Sequence, residues 1–257
     1  MKEGQRLWTR EELILAINLY CKIPFGKMHS RTLEVQDLAK LIDRTPGAVA
    51  RKLGNLASFD PSLRARGVGG LPNAGSLTEE IWKEFYNHWD VALIESEKLL
   101  AKKKHTTIEK LNQIDEKDLL KIGTTKERMV KVRVNQTIFR KMILATYNNK
   151  CCITGISNSE LLVASHIVEW SKDEKNRLNP MNGLALNALH DKAFDAGLIT
   201  VDADTYKIKI SSLLKKKDVS PSMKNNFADF DGKIISLPDK FLPGREFLKV
   251  HNERFII

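Results

Sequence analysis

Cysteine is scarce in this chain. There are three in 257 residues: Cys21, Cys151 and Cys152. An odd count with two adjacent members is no disulfide framework. No C-x-x-C pair occurs, so no structural zinc is expected. Long apolar runs are missing too; none approaches the ~18 residues that a membrane-spanning helix needs. The opening residues, MKEGQRLWTREEL, contain no apolar core of a secretion signal. A soluble, intracellular and cytoplasmic protein with no membrane partner is therefore expected. Acidic residues are also in short supply, 32 against 42 Lys and Arg, which leaves a formal charge of +10. The glycines between residues 60 and 77 do not form a phosphate-binding loop, because they lack the G-x-x-x-x-G-K spacing and a preceding strand.

What is present is enough apolar content for a packed core, 42%, in a chain long enough for about two domains at roughly 150 residues each. The charge is uneven. Residues 121–150 hold eight Lys or Arg and one acid, Glu127. An evenly solvated surface would not concentrate charge in this way, and the pattern points to a polyanion, nucleic acid in particular.

Residues 1–60 predict three helices. Thr9 to Glu12 spells a capping box, followed by Leu13, Ala16, Ile17 and Tyr20 at helical spacing. A second helix from near Thr32 presents Val35, Leu38, Ala39 and Ile42. Thr45 and Pro46 suit the cap and first turn of a third. In that helix Val49, Leu53 and Leu56 face inward, while Arg51, Lys52 and Asn55 face outward as candidate DNA contacts. Trp8-Thr9 with Glu11-Glu12, Leu38-Ala39 with Ile42, and Arg44-Thr45-Pro46 with Val49 resemble tri-helical modules of the Myb/SANT and homeodomain-like type. That resemblance implies a helix-turn-helix unit.

Residues 61–120 predict a connector and a helical linker. One helix opens at Ser76 and carries Ile81, Phe85, Trp89 and Leu93 in register, aromatics that suit a core better than a base-stacking platform. The segment from 121 to 257 predicts a second domain. It starts with a basic helix whose buried face includes Val134, Ile138 and Met142. Arg133 and Gln136 are expected at the entrance of that helix and Arg140 and Lys141 on its flank, as phosphate contacts.

The chemistry concentrates in residues 151–195. A short apolar run, Leu161 to Ala164, ends at His166. A polar loop closes at Asn182-Gly183. Leu184-Ala185-Leu186 returns as a strand, and Asn187 can cap a helix containing His190. Phosphodiester hydrolysis needs a base for water and a cation for the developing negative charge. A neutral imidazole can be the base near pH 7, and a second imidazole with oxygen ligands can hold a divalent ion.

Cys152-Ile153-Thr154-Gly155, Ala164-Ser165-His166-Ile167 with Trp170, Asn182-Gly183-Leu184 with Leu186, and His190 with Phe194-Asp195 together resemble the HNH endonuclease family. Its restriction-type branch is the nearest in pattern, and Arg133 to Arg140 resembles that branch's lead-in helix. The resemblance implies an α+β chain with a ββα-metal nuclease domain after the helical one. It implies a metal-dependent DNA endonuclease, in a restriction or defence setting, that leaves 5′-phosphate and 3′-hydroxyl ends. His166 would be the general base, Asn182 the brace of its loop, and His190 a catalytic-site metal ligand. Mg²⁺ or Mn²⁺ is the expected cofactor and double-stranded DNA the expected partner; a homodimer would allow both strands to be cut.

Ser165 departs from the family, because many members carry an acid or a His there as a metal ligand; Ser165 would be a weaker, neutral one. Asp195 and Asp191 are the candidates to complete the ligand set, and Asp195 can equally be a structural partner of the helix. Two other readings compete. One is a non-catalytic helix-turn-helix regulator; the other is an HNH nuclease acting on RNA or on modified or damaged DNA. Leu198 to Val201 and Tyr206 to Ile210 predict a further hairpin. His251 is expected to be a surface or packing residue.

Overall fold

The computed structural model describes residues 6–114, 126–215 and 220–257. Lys121 to Thr125 at the start of the basic stretch, and Lys216 and Lys217, fall outside the described residues. Two compact units divide the chain, Met1–Met142 and Ile143–Ile257. Helices build the first and both small sheets lie in the second, beside its own helices, which makes the chain α+β.

In the first unit, α1 spans Arg10–Lys22, α2 Leu33–Leu41 and α3 Pro46–Ala57. The capping box forms as its sequence dictates: Glu12 N donates to Thr9 Oγ1, and Thr9 N donates to Glu12 Oε2 at 3.0 Å. Ala48 N donates to the Thr45 hydroxyl at the start of α3. Short α4 (Pro61–Ala65), then α5 (Ser76–Asn87), α6 (Trp89–Lys103) and α7 (Ile108–Leu111), follow. α5 and α6 both pack on α1, so the first unit is more than three helices. The single helix expected from Ser76 is broken at His88 (φ −142°, ψ 56°), where Asn87 and His88 are both weak helix formers. The break lets Trp82 meet Trp89 edge-on at 6.5 Å, while Tyr20 meets Trp82 at 5.5 Å. These aromatics are core.

The connector is not a free linker. It folds back on α3: Leu71 N donates to Gly54 O, and a Cβ on Gly70 would lie 2.2 Å from Ser58 N. Only glycine allows that approach. The consequence overturns an expectation about α3. Lys52 and Asn55 are buried rather than outward. Lys52 Nζ donates to Ala74 O and Thr78 Oγ1, and Asn55 Nδ2 donates to Leu71 O and Pro72 O.

α8 runs from Lys126 to Thr146, and the boundary between the units falls within it. Its start lies earlier than expected, because nothing between Lys126 and Gln136 interrupts a helix. Arg133 and Gln136 therefore sit well inside it rather than at its free N–H groups.

In the second unit β1 (Leu162–His166) pairs antiparallel with β2 (Gly183–Asn187), in a register that sets His166 opposite Gly183. α9 (Ala188–Asp195) follows β2 without a break. A second hairpin joins β3 (Ile199–Val201) to β4 (Ile208–Ile210), and its turn is tied by Asp202 Oδ1, which accepts from Asp204 N, Thr205 N and Thr205 Oγ1. α10 (Pro221–Asn226) and α11 (Arg245–Asn252) complete the unit. α9 packs on β1, β2 and β3, and α11 packs on β3.

Candidate active site

Strand alternation explains why adjacent residues of β1 have different surroundings. Ser165 is buried and His166 is partly exposed. β1 stops there because Asn182 replaces the ladder with its own amide. Ile167 N donates to Asn182 O, Val168 N donates to Asn182 Oδ1 at 2.8 Å, and Asn182 Nδ2 donates to Val168 O and Asn176 O. The polar loop is held from within by short-range amide bonds. Asn176 donates from N and Nδ2 to the Asp173 carboxylate, Asn179 Nδ2 donates to Asn176 Oδ1, and Met181 N donates to Asn179 Oδ1.

That loop presents the Arg177 carbonyl to His166, 3.0 Å from Nε2. A carbonyl only accepts, so Nε2 carries the proton and Nδ1 is the basic nitrogen of the neutral ring. Trp170 stands edge-on to the imidazole at 5.3 Å. Arg177 Nε donates to Trp170 O, and the guanidinium lies over the Trp170 ring. Burial pushes His166 down to about 4; the bond to the Arg177 carbonyl works against that shift and the Arg177 cation adds to it. The ring is neutral at pH 7.

α9 has two chemically different sides. Its cap is Asn187, whose Oδ1 accepts from His190 N. His190, expected to hold a metal, is enclosed by protein. The side chain is 1% exposed. Nε2 is 2.6 Å from Asn226 O, Nδ1 is 3.2 Å from Asn187 Nδ2, and Phe227 and Phe230 flank the ring. Both nitrogens face protein groups. Cys151 lies against it. Burial alone would raise that thiol, but bonds to His190 and Thr154 outweigh it and bring it to about 7. Cys152 is buried, with burial pushing its thiol well up; none of the three cysteines is in a disulfide.

On the other side of α9, Asp191 and Asp195 are one turn apart and feel each other's charge. Burial raises both carboxyls, and for Asp195 the repulsion from Asp191 adds to it. Ser165 is buried, and its hydroxyl bonds Asp191 and eases that carboxyl's ionisation. Two carboxylates one turn apart, with the Ser165 hydroxyl on the first of them, form a hard-oxygen set that suits a small divalent cation completed by water. Among the described residues no three His, Cys, Asp or Glu gather as a metal cluster. The fit rests on this smaller set.

The remaining predicted residues are scattered. Arg133, Gln136 and Arg51 are exposed and Arg140 is partly so. Lys141 lines a cavity of about 280 Å³ in the helical unit with Lys22 and Glu97. Two residues near the site were not anticipated, Arg177 and Arg254. Arg177 is within the polar loop but is one of many charges there. Arg254 is 59 positions beyond Asp195 in sequence, and no spacing rule links them. Asp191 and Asp195 were legible as an i, i+4 pair on one helical face.

Residues 151–202 match the model of a family described as HNH endonuclease. No curated protein matches the chain.

Proposed function

We propose that the Ile143–Ile257 unit is a metal-dependent endonuclease that hydrolyses phosphodiester bonds in double-stranded DNA. The observation that carries this reading is the state of His166. It ends a strand within the segment that matches the HNH family, is partly exposed, is neutral at pH 7, and keeps its proton on Nε2 through the Arg177 carbonyl. Nδ1 is then the atom that takes a proton from the attacking water. Asn182 fixes the loop that delivers the carbonyl. Asp191 and Asp195, with Ser165, would hold the divalent ion in place of the buried His190. Bound there, Mg²⁺ or Mn²⁺ supplies positive charge for the scissile phosphate and the leaving 3′ oxygen.

The net charge of +10 and the exposed Arg133 and Gln136 of α8 support a polyanionic substrate. A restriction or defence setting belongs to the same reading and rests on the resemblance to restriction-type members; a homodimer would let one site per chain cut both strands, and a cytoplasmic location is proposed with them. A helix-turn-helix role for α1–α3 is supported by the Thr45-Pro46 turn and by Arg51.

The direct test is supercoiled plasmid incubated with the full chain and Mg²⁺ or Mn²⁺, with EDTA as control. Nicked or linear product that requires the metal and carries 5′-phosphate ends is expected. Intact plasmid with every divalent ion tried would refute the enzyme reading.

A further inference from the structure

We propose that Arg254 is a positioning residue for the candidate nuclease site. It ties the loop that leaves His166 to the end of the helix that carries Asp191 and Asp195. The inference rests on the nuclease reading above and adds a residue outside residues 151–202.

Arg254 lies just beyond α11. Its Nη1 is 2.8 Å from Glu169 Oε1, and its Nη2 donates to the Asp195 main-chain carbonyl at 3.1 Å. Glu169 is three residues after His166. Asp195 is the last residue of α9, where carbonyls have no intrahelical donor and a cation is favoured. One guanidinium therefore joins the base arm of the motif to its carboxylate arm. Its planar fork can serve two fixed acceptors at once, which an ammonium cannot do with the same geometry.

The segment that brings Arg254 there is itself seated specifically. Ile256 N donates to Gly197 O at 2.9 Å. Gly197 has φ +69°, and a Cβ there would lie 2.5 Å from Arg254 O. Upstream, Asn252 Nδ2 donates to Thr200 Oγ1 and Val201 O, and His251 stacks on Phe194 at 3.6 Å. The docking is dense and the arginine is at its edge. Its side chain is 32% exposed and that of Glu169 38%, so the ion pair itself contributes little to stability. Geometry is what it supplies.

The test compares wild type with Arg254→Ala, Arg254→Lys and Glu169→Gln in the full chain. Four quantities are read: kcat and KM for plasmid cleavage, Mn²⁺ affinity by calorimetry without DNA, DNA affinity in EDTA at several salt concentrations, and the melting midpoint. Arg254→Ala should lower kcat and weaken Mn²⁺ binding, each roughly 10–100-fold as for other outer-shell partners, with KM and metal-free DNA affinity within about twofold. Arg254→Lys should recover only part, and Glu169→Gln should show a smaller loss of the same kind. An active wild type with an unaltered Arg254→Ala overturns the proposal. So does a loss confined to KM and DNA affinity with a salt slope reduced by about one, which would make Arg254 a phosphate contact. If Arg254→Ala does not fold, Glu169→Gln with unaltered kcat and Mn²⁺ affinity overturns it. A wild type that cuts nothing overturns the nuclease reading instead.

Discussion

Two loops in this protein treat polar side chains in opposite ways. The connector after α4 lies along α3 and absorbs Lys52 and Asn55 into its own carbonyls. The loop between β1 and β2 instead satisfies itself, through Asp173, Asn176, Asn179 and Asn182, and spends a single carbonyl on His166. The first loop turns expected contact residues into structural ones. The second holds one residue rigid and leaves it partly open. α9 repeats the contrast within a single helix, with His190 consumed by Asn187 and Asn226 while Asp191 and Asp195 strain against each other. Residue type in a motif says which side chain could act. The backbone packed against it says whether it is available.

The largest effect expected on this contrast is at His166. His166→Ala should lower kcat by about 10²–10⁴-fold, as loss of a general base does, while DNA affinity in EDTA stays near wild type. The acid limb of the wild-type rate should fall below pH 6.5, because burial holds the ring neutral down to about 4. A rate that halves near pH 6.5 would mean that the ring is solvated in the working enzyme. Nearly normal cutting by His166→Ala would remove it as the base.

α9 gives the second comparison. Asp191→Ala should weaken Mn²⁺ binding by more than tenfold with little change in melting. His190→Ala should do the reverse. It leaves Asn226 O and Asn187 without their partner and opens a cavity against Phe227, so a loss of about 2–4 kcal/mol is expected in urea unfolding. If His190→Ala kept its stability and lost its metal, the two sides of the helix would have been assigned the wrong way round.

The pH dependence of stability tests the buried side more broadly. His251 is 1% exposed, with Thr200 Oγ1 at Nδ1 and the Phe194 carbonyl at Nε2. Burial is the main cause that pushes it down to about 4. A depressed histidine favours the folded state fully above its unfolded value near 6.5. That contribution, on the order of 3 kcal/mol, is lost as pH falls toward 4, because the unfolded chain binds the proton first. Urea melts at pH 7.5 and 4.5 should show the loss, and His251→Gln should reduce it.

Much of the second unit was legible because its signals are local. The strand ending at His166, the Asn187 cap and the Asp202 turn each act within a few residues, and each appears where its chemistry puts it, whereas Asn182-Gly183 makes no turn of its own: Asn182 ends a 3-10 helix and Gly183 is already extended and paired with His166. The burial of His190 was not legible, because it is set by Asn226 and Phe227, more than 30 residues away, which no period or cap connects to it. Lys52 was misjudged for a similar reason. Its helical face is outward within α1–α3, and only the return of the Gly70 segment covers it. Arg254 was invisible because a single arginine after an amphipathic helix has no signature.

Arg51 offers the smallest and most delicate break of the comparison. It is the one residue of the proposed α3 contact set that the connector leaves exposed. If α3 touches DNA, it does so through residues near Arg51 at its N-terminal half. Arg51→Ala should then weaken DNA affinity in EDTA by less than about 1 kcal/mol, evenly across sequences, and lower the salt slope by about one. Lys52→Ala should leave affinity unchanged and cost roughly 1–3 kcal/mol of stability, because Ala74 O and Thr78 Oγ1 lose a buried donor. Loss of affinity in Lys52→Ala at unchanged stability would mean that the connector lifts off α3 when DNA binds. No change in Arg51→Ala would leave the helical unit without a DNA-facing role on α3.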